Sequence, residues 1–373
     1  MRADLDQNRS FMGISGILQG PQSTELEEEA AREPGTISAR LETRQNLFAV
    51  RRIACFFSLV AFLIFGLNAL ITYGLRRIKT GQYGVSNRVM QGEVNAKIIV
   101  TGSSRTLSHF DPRIIEEQTG RSAFNLGRNG SQTDMQLAVL KVYLEHNRAP
   151  EVVIHNLDGF SFEATREVYN PTQYVPYLYD DELYNALKQF DPNSWRRRYL
   201  PVYGYVVDDM SLSWMLGLRA LSGWSPREDF FQGFNPRSKR WTDEFQRFKD
   251  SKPNGVSWPI DPEGRQSLED LIHVCQQHGI QLIFVYSPEY IGMQKLTNNR
   301  AEIFQDFREL STRYHIPFWD YSNWKYSGDT EYFQNSQHLN GDGAAIFSAD
   351  FANRLKEHLG TQSTISAGLE PSK

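Results

Sequence analysis

The stretch Ile98-Ile99-Val100-Thr101-Gly102-Ser103-Ser104-Arg105 sets hydroxyl groups at the end of an apolar run. Small residues there make an ordinary strand-to-helix turn. They also stand where open α/β sheets place ligands and chemistry, at a strand's carboxyl end. A hydroxyl nucleophile needs a base, usually a histidine oriented by a third group, and donors aimed at the developing oxyanion. The chain has eight histidines. His146, His273, His278, His315 and His358 fall in or at the ends of predicted helices, where a solvated or half-buried imidazole is the default. His109 follows the serine turn and reads as a local surface residue, and His155, ending a strand, is a minor candidate. His338 differs. It lies in the loop Phe333-Gln334-Asn335-Ser336-Gln337-His338-Leu339-Asn340-Gly341-Asp342, after the last extended segment and before the last helix. That puts it at the same sheet edge as Ser104.

The elements that must position these groups are legible from residue 96 onward. The pattern predicts strands over 97–101, 123–126, 151–155, 281–286 and 317–319, and helices over 111–119, 134–147, 263–278, 301–315 and 343–358. Such alternation argues for a mostly parallel sheet covered on both faces. Residues 160–262 interrupt it with a crowd of tyrosines and tryptophans, a basic run at 196–198 and an apolar helix predicted over 210–224. Aromatics are usually core, which favours an insertion that packs on itself. The other reading is a lid or wall over the site, touching a bilayer interface where Trp, Tyr and Arg are favoured.

Composition narrows the remaining classes. The 373 residues carry a net charge of −4 and no long basic tract, so nucleic acid is not an expected partner. Cys55 and Cys275 are the two cysteines, too few for a disulfide framework or a cysteine metal site. Residues 53–75 hold no charge between Arg51-Arg52 and Arg76-Arg77, long enough to cross a bilayer. Basic residues within about 15 positions on either side balance, so orientation is not set by them. Residues 1–50, acidic around Glu27-Glu28-Glu29, and residues 359–373 are expected to be irregular tails.

Serine after the first strand, histidine before the final helix, and Asn125-Leu126-Gly127-Arg128-Asn129-Gly130 between them resemble the SGNH/GDSL hydrolase superfamily. The similarity spans roughly residues 95–160 and 265–358, with Val285-Tyr286-Ser287-Pro288-Glu289-Tyr290 resembling the penultimate strand. It is nearest to membrane-anchored relatives that assist acylation of envelope polymers. The resemblance implies a three-layer flavodoxin-like α/β domain over 95–358 carrying the 160–262 insertion. It also implies Ser104 as nucleophile, His338 as base and the Gly130 amide as an oxyanion donor. The family's third block, Gly-x-Asn-Asp, has no exact match. Asn156 donates from a shifted position, or the hole rests on the Ser104 and Gly130 amides alone. Three residues before His338, where the family has aspartate, stands Asn335. An asparagine in that place is expected to favour the wrong imidazole tautomer, costing roughly 10⁴ in turnover, although cysteine proteases use asparagine to orient their histidine. Asp329 and Asp342 are alternative orienting groups. Arg105 either pairs with an acid at the sheet edge or meets an anionic substrate group.

Two functions follow as expectations. One is a serine esterase or O-acyltransferase, held in the inner (plasma) membrane by a single span with its C-terminal domain outside, acting on an acylated envelope glycan. No cofactor and no metal is implied. The other is a catalytically silent accessory protein that binds a glycan or a membrane acyltransferase partner. A lipase drawing substrate from the bilayer requires the insertion to line an acyl channel.

Overall fold

The computed structural model describes residues 34–207, 212–227, 230–238 and 240–368. A parallel sheet of β1 (Ile98–Thr101), β2 (Ala123–Asn125), β3 (Val152–Asn156), β4 (Gln281–Tyr286) and β5 (Phe318–Asp320) runs in the order β2-β1-β3-β4-β5. Val100 lies opposite Asn125 on one side and Ile154 on the other, and Thr101 opposite His155. In this doubly wound order the chain reverses direction between β1 and β3, which opens a crevice at their carboxyl ends.

The strands read as unbroken apolar runs because helices cover both faces. Ile99, Val153 and Phe284 enter one core with the helices Thr133–His146, Pro262–Gln277 and Arg300–Arg313. Ile98, Val100, Ile154 and Ile283 enter the other, against Pro112–Thr119 and Gly341–Gly368. The three-layer flavodoxin-like arrangement expected from the sequence is what forms. Among the described residues of 160–262, Tyr174, Tyr177, Leu183 and Leu187 join the first of these cores. The insertion therefore packs on the sheet domain, not on itself alone.

Among the described residues, 34–63 and those from 64 onward form separate compact units. The helix Pro34–Leu75 begins earlier than the expected end of the irregular tail at residue 50. Proline suits a helix's first turn, and Ala39, Arg40, Leu41 and Glu42 are good helix formers, so nothing stops the helix there. Residues 1–33 lie outside the described residues. From Glu42 to Leu75 the helix is long and apolar enough to cross a membrane. Phe56, Phe57 and Phe62 are 62%, 64% and 73% exposed, which separates it from a buried core helix.

Within the second unit, the last turns of that helix face protein. Ile71 and Leu75 are buried with Tyr205 and Ala220. Thr72 shares a hydroxyl hydrogen bond of 2.7 Å with Tyr205, and the Val202 N–H donates to Asn68 Oδ1 at 2.8 Å. The close approach requires glycine, since a Cβ on Gly74 would meet the Gly217 carbonyl oxygen at 1.8 Å. The helix predicted over 210–224 runs Ser213–Ala220; residues 208–211 lie outside the described ones. The last helix continues to Gly368, so most of the expected C-terminal tail is helical. No proline interrupts it, and Gly360 alone does not end it.

Candidate active site

β1 ends on Gly102 at φ +147°, where a Cβ would lie 2.1 Å from Thr106 Oγ1 and 2.9 Å from the Asn156 carbonyl oxygen. Only glycine fits that turn. Ser103 caps the short helix Ser104–His109, its Oγ accepting the Arg105 N–H at 3.2 Å. Asn125 clamps the same helix from β2. Its amide nitrogen donates to the carbonyls of Thr106 at 2.7 Å and Phe110 at 3.0 Å, and its Oδ1 accepts the Gly127 N–H at 2.8 Å. A Cβ on Gly127 would lie 2.4 Å from the Leu107 nitrogen. The Asn125-Leu126-Gly127 segment thus holds Ser104 in place.

Chain ends separated by more than 230 residues meet here. Ser104 Oγ lies 2.7 Å from His338 Nε2, and His338 Nδ1 lies 2.9 Å from Asn335 Oδ1. Asn335 Oδ1 also accepts the backbone N–H groups of Gln337 at 3.1 Å and His338 at 3.0 Å. Two backbone donors fix which end of the amide faces the ring. A flipped Asn335 would set its NH₂ against both. The oxygen therefore faces Nδ1, Nδ1 carries the proton, and Nε2 is left to accept from Ser104. The sequence expectation of the wrong tautomer is overturned, because it holds only when the NH₂ end faces the ring. What the Ser104–His338–Asn335 chain lacks is a negative charge beside the ring. Burial, then the charges of Arg237 and Arg105, push the His338 pKa down to about 3, so the imidazole is neutral near pH 7. Both Ser104 and His338 remain half-buried and reachable from solvent.

Next to this pair sits a second histidine. His109 is buried, not the surface residue the sequence suggests. Its Nε2 accepts the Leu339 N–H at 3.0 Å, so Nδ1 carries the proton and donates to Ser287 Oγ at 2.9 Å. Burial, helped by Arg105, by the neighbouring His338 ring and by Arg237, holds its pKa well below the usual range. His109 ties the Ser104 helix to the residue after His338. His155 is buried within β3 with neither ring nitrogen hydrogen-bonded, its pKa pushed down to about 3 by desolvation. It takes no part in the site.

Of the two readings of Arg105, the structure shows the pairing with an acid and not the anionic-substrate contact. Only 2% exposed, Arg105 reaches Asp158 Oδ1 at 2.9 Å, donates to the Ser287 and Pro288 carbonyls, and stacks on Tyr286 at 4.6 Å. It braces β1, β3 and β4 and has no face left for a substrate. Asn156 lies beneath Gly102. Its Oδ1 accepts the Ser287 N–H at 3.0 Å, and its buried Nδ2 has no protein partner. Gly130 adopts φ +60° with the Tyr169 ring against its Cα side. Asp329 caps its own turn through the Glu331 N–H at 2.9 Å, and Asn335 holds the place beside His338.

The insertion supplies a wall. The Gln232 carbonyl accepts the Asn125 N–H at 2.9 Å, and the Asn235 N–H donates to the Leu107 carbonyl at 2.9 Å. The Arg237 carbonyl accepts the Gly341 N–H at 2.9 Å, and its guanidinium donates to Asn129 Oδ1 at 3.0 Å. His109, Ser287 and Arg237 are the site neighbours that sequence reasoning missed. Only the small spacing from Ser104 to His109 hinted at any of them.

A Ser–His–Asn constellation at the carboxyl edge of a parallel sheet is the class of site these contacts define. No family model and no curated protein matches the chain. Among solved structures it is similar to a proposed acylhydrolase from Bacteroides fragilis, at 10% identity and a TM-score of 0.33, covering 69% of this chain and 87% of the other. It is also similar to a GDSL-like lipase from Bacteroides thetaiotaomicron, at 9% identity and a TM-score of 0.32, covering 74% of this chain and all of the other.

Proposed function

We propose that the protein is a membrane-anchored serine esterase or O-acyltransferase whose substrate is an acylated envelope glycan. The observation that carries this reading is the Ser104–His338–Asn335 chain, with the amide oxygen locked toward the ring. Ser104 Oγ attacks the acyl carbonyl as its proton passes to His338 Nε2. Asn335 Oδ1 holds the Nδ1 proton and accepts a stronger hydrogen bond as the ring becomes cationic. The amides of Ser104 and Gly130 are assigned to the oxyanion, with Asn156 Nδ2 behind them. Collapse breaks the ester bond, and His338 returns the proton to the departing alkoxide. Water or a second hydroxyl then takes the acyl group from Ser104. No step requires a cofactor.

An envelope substrate requires residues from about 80 onward to lie outside the cytoplasmic membrane, with the helix as an uncleaved anchor. Long segments are translocated largely regardless of flanking charge. The test assays the full chain in detergent micelles for release of acetate from an O-acetylated polysaccharide and from p-nitrophenyl acetate. Turnover lost in Ser104→Ala and in His338→Ala is the expected result. Absence of turnover in the folded wild type would leave the accessory reading, which the uncharged third member of the triad favours. A C-terminal alkaline phosphatase fusion is expected to be active, and a silent one would exclude the envelope substrate.

A further inference from the structure

Arg237 is a half-buried cation at this site with no carboxylate partner among the described residues. It sits on the insertion, and the Asn235 N–H and Arg237 carbonyl bonds pin this segment to the Ser104 helix and to Gly341, three residues past His338. Its guanidinium reaches across to Asn129 in the Asn125–Gly130 segment. No ion pair joins it among the described residues, and its half-buried side chain leaves Nε buried with no partner. It lines an open cavity of about 620 Å³ together with Arg240, Trp241, Asn340 and Gly341. The carboxylates of Asp329, Glu331 and Asp342 also line this cavity, but none pairs with Arg237. Arg105 also leaves its Nε without a partner, but its guanidinium is paired with Asp158 and donates to carbonyls, so of these two arginines Arg237 is the one without a carboxylate.

From this contrast we infer that Arg237 is a substrate-recognising residue: it binds an anionic group, carboxylate or phosphate, carried by the ester that Ser104 attacks. This rests on the proposed esterase or acyltransferase reading and names the substrate class. A planar guanidinium with free donors matches either oxyanion in bidentate fashion. The consequence reaches the base as well. Arg237 is the foremost charge disfavouring the His338 imidazolium, after burial itself. A bound anion offsets that charge and supplies from the substrate part of the negative potential that Asn335 lacks. Anionic esters should therefore gain in kcat as well as in KM. An anion-bound site should also protonate at higher pH than an empty one.

The experiment compares acetyl esters of a uronate, a hexose phosphate and an uncharged hexose, using the full chain in detergent micelles. Wild type should prefer at least one anionic ester over the uncharged one by about 10-fold or more in kcat/KM, the scale of a charged hydrogen bond. The uronate and phosphate arms distinguish the two anion sources. Arg237→Gln should collapse that ratio, Arg237→Lys should keep part of it, and Arg237→Glu should reverse it. A merely structural loss would lower both rates and leave the ratio standing, which would overturn the inference. So would a wild type that turns over all three esters equally. Titration of Ser104→Ala with the same esters separates this from failure of the catalytic reading. Anion-selective binding that Arg237→Gln weakens by about 10-fold should persist without turnover, and binding indifferent to the variant would refute the role.

Discussion

Replacing Asn335 by aspartate adds one negative charge while keeping an oxygen where Oδ1 now accepts Nδ1–H and two backbone N–H groups. Because the tautomer is already correct, the roughly 10⁴-fold gain expected from correcting it does not apply. Only the charge is new. With charge centres about 4 Å apart, the attraction to the imidazolium is about 1 kcal/mol in a water-like medium and about 4 kcal/mol at an effective dielectric of 20. The half-buried site lies between these limits, so kcat should rise between about 5-fold and 10³-fold. The sign of the pH effect is fixed as well. His338 titrates low, at about 3, in the native site, and a neighbouring carboxylate favours its charged form. The acid limb of kcat/KM should therefore sit well below pH 6 in wild type and move to higher pH in Asn335→Asp. Hydrolysis of p-nitrophenyl acetate by the full chain, followed from about pH 3 to pH 9, reads the rate gain and the rise of the acid limb toward the ordinary histidine pKa. Asn335→Leu removes the Nδ1 acceptor and should cost about 10³–10⁴. An aspartate variant with neither gain nor shift, or a leucine variant with full rate, would refute the orienting role.

Other consequences follow from the buried polar groups. Arg105→Met strands Asp158 in the interior and should lower stability by about 3–5 kcal/mol in urea unfolding; a loss below about 1 kcal/mol would place Arg105 outside the brace. His155 is neutral in the fold, its pKa at about 3, below the unfolded value, so its contribution to stability is complete above about pH 6.5 and is lost as pH falls toward 3. His155→Phe should flatten the acid slope of stability by about 1.4 kcal/mol per pH unit, and an unchanged slope would contradict that burial.

Much of the frame was readable because period and punctuation agree with it. Continuous apolar runs ending in Gly102, Asn125 and Asn156 announce strands buried on both faces, and the order of helices between them leads to a parallel sheet. Ser104 was found at a strand end, His338 in the loop before the last helix and Asn335 through the family resemblance, three residues before His338; the structure brings them within hydrogen-bond reach. The role of Asn335 was misjudged because tautomer depends on which end of an amide faces the ring, and two backbone N–H groups decide that. For Arg105 the sequence left an acid partner and an anionic substrate both open, because the deciding neighbours, Asp158 after β3 and the carbonyls after β4, are distant in sequence. Arg237 carries no local signal. It reaches the site through an insertion whose path is set by three long-range backbone bonds, and no periodicity encodes those.

The claim at the centre is that Ser104 is an activated nucleophile. A fluorophosphonate probe reads this directly, since it phosphonylates a serine only when a base accepts the proton and donors hold the oxyanion. With the full chain in detergent micelles, peptide mapping by mass spectrometry is expected to place the label on Ser104. Labelling should vanish in Ser104→Ala and fall steeply in His338→Ala. A folded wild type that stays unlabelled, or a label that persists in Ser104→Ala, would contradict the account.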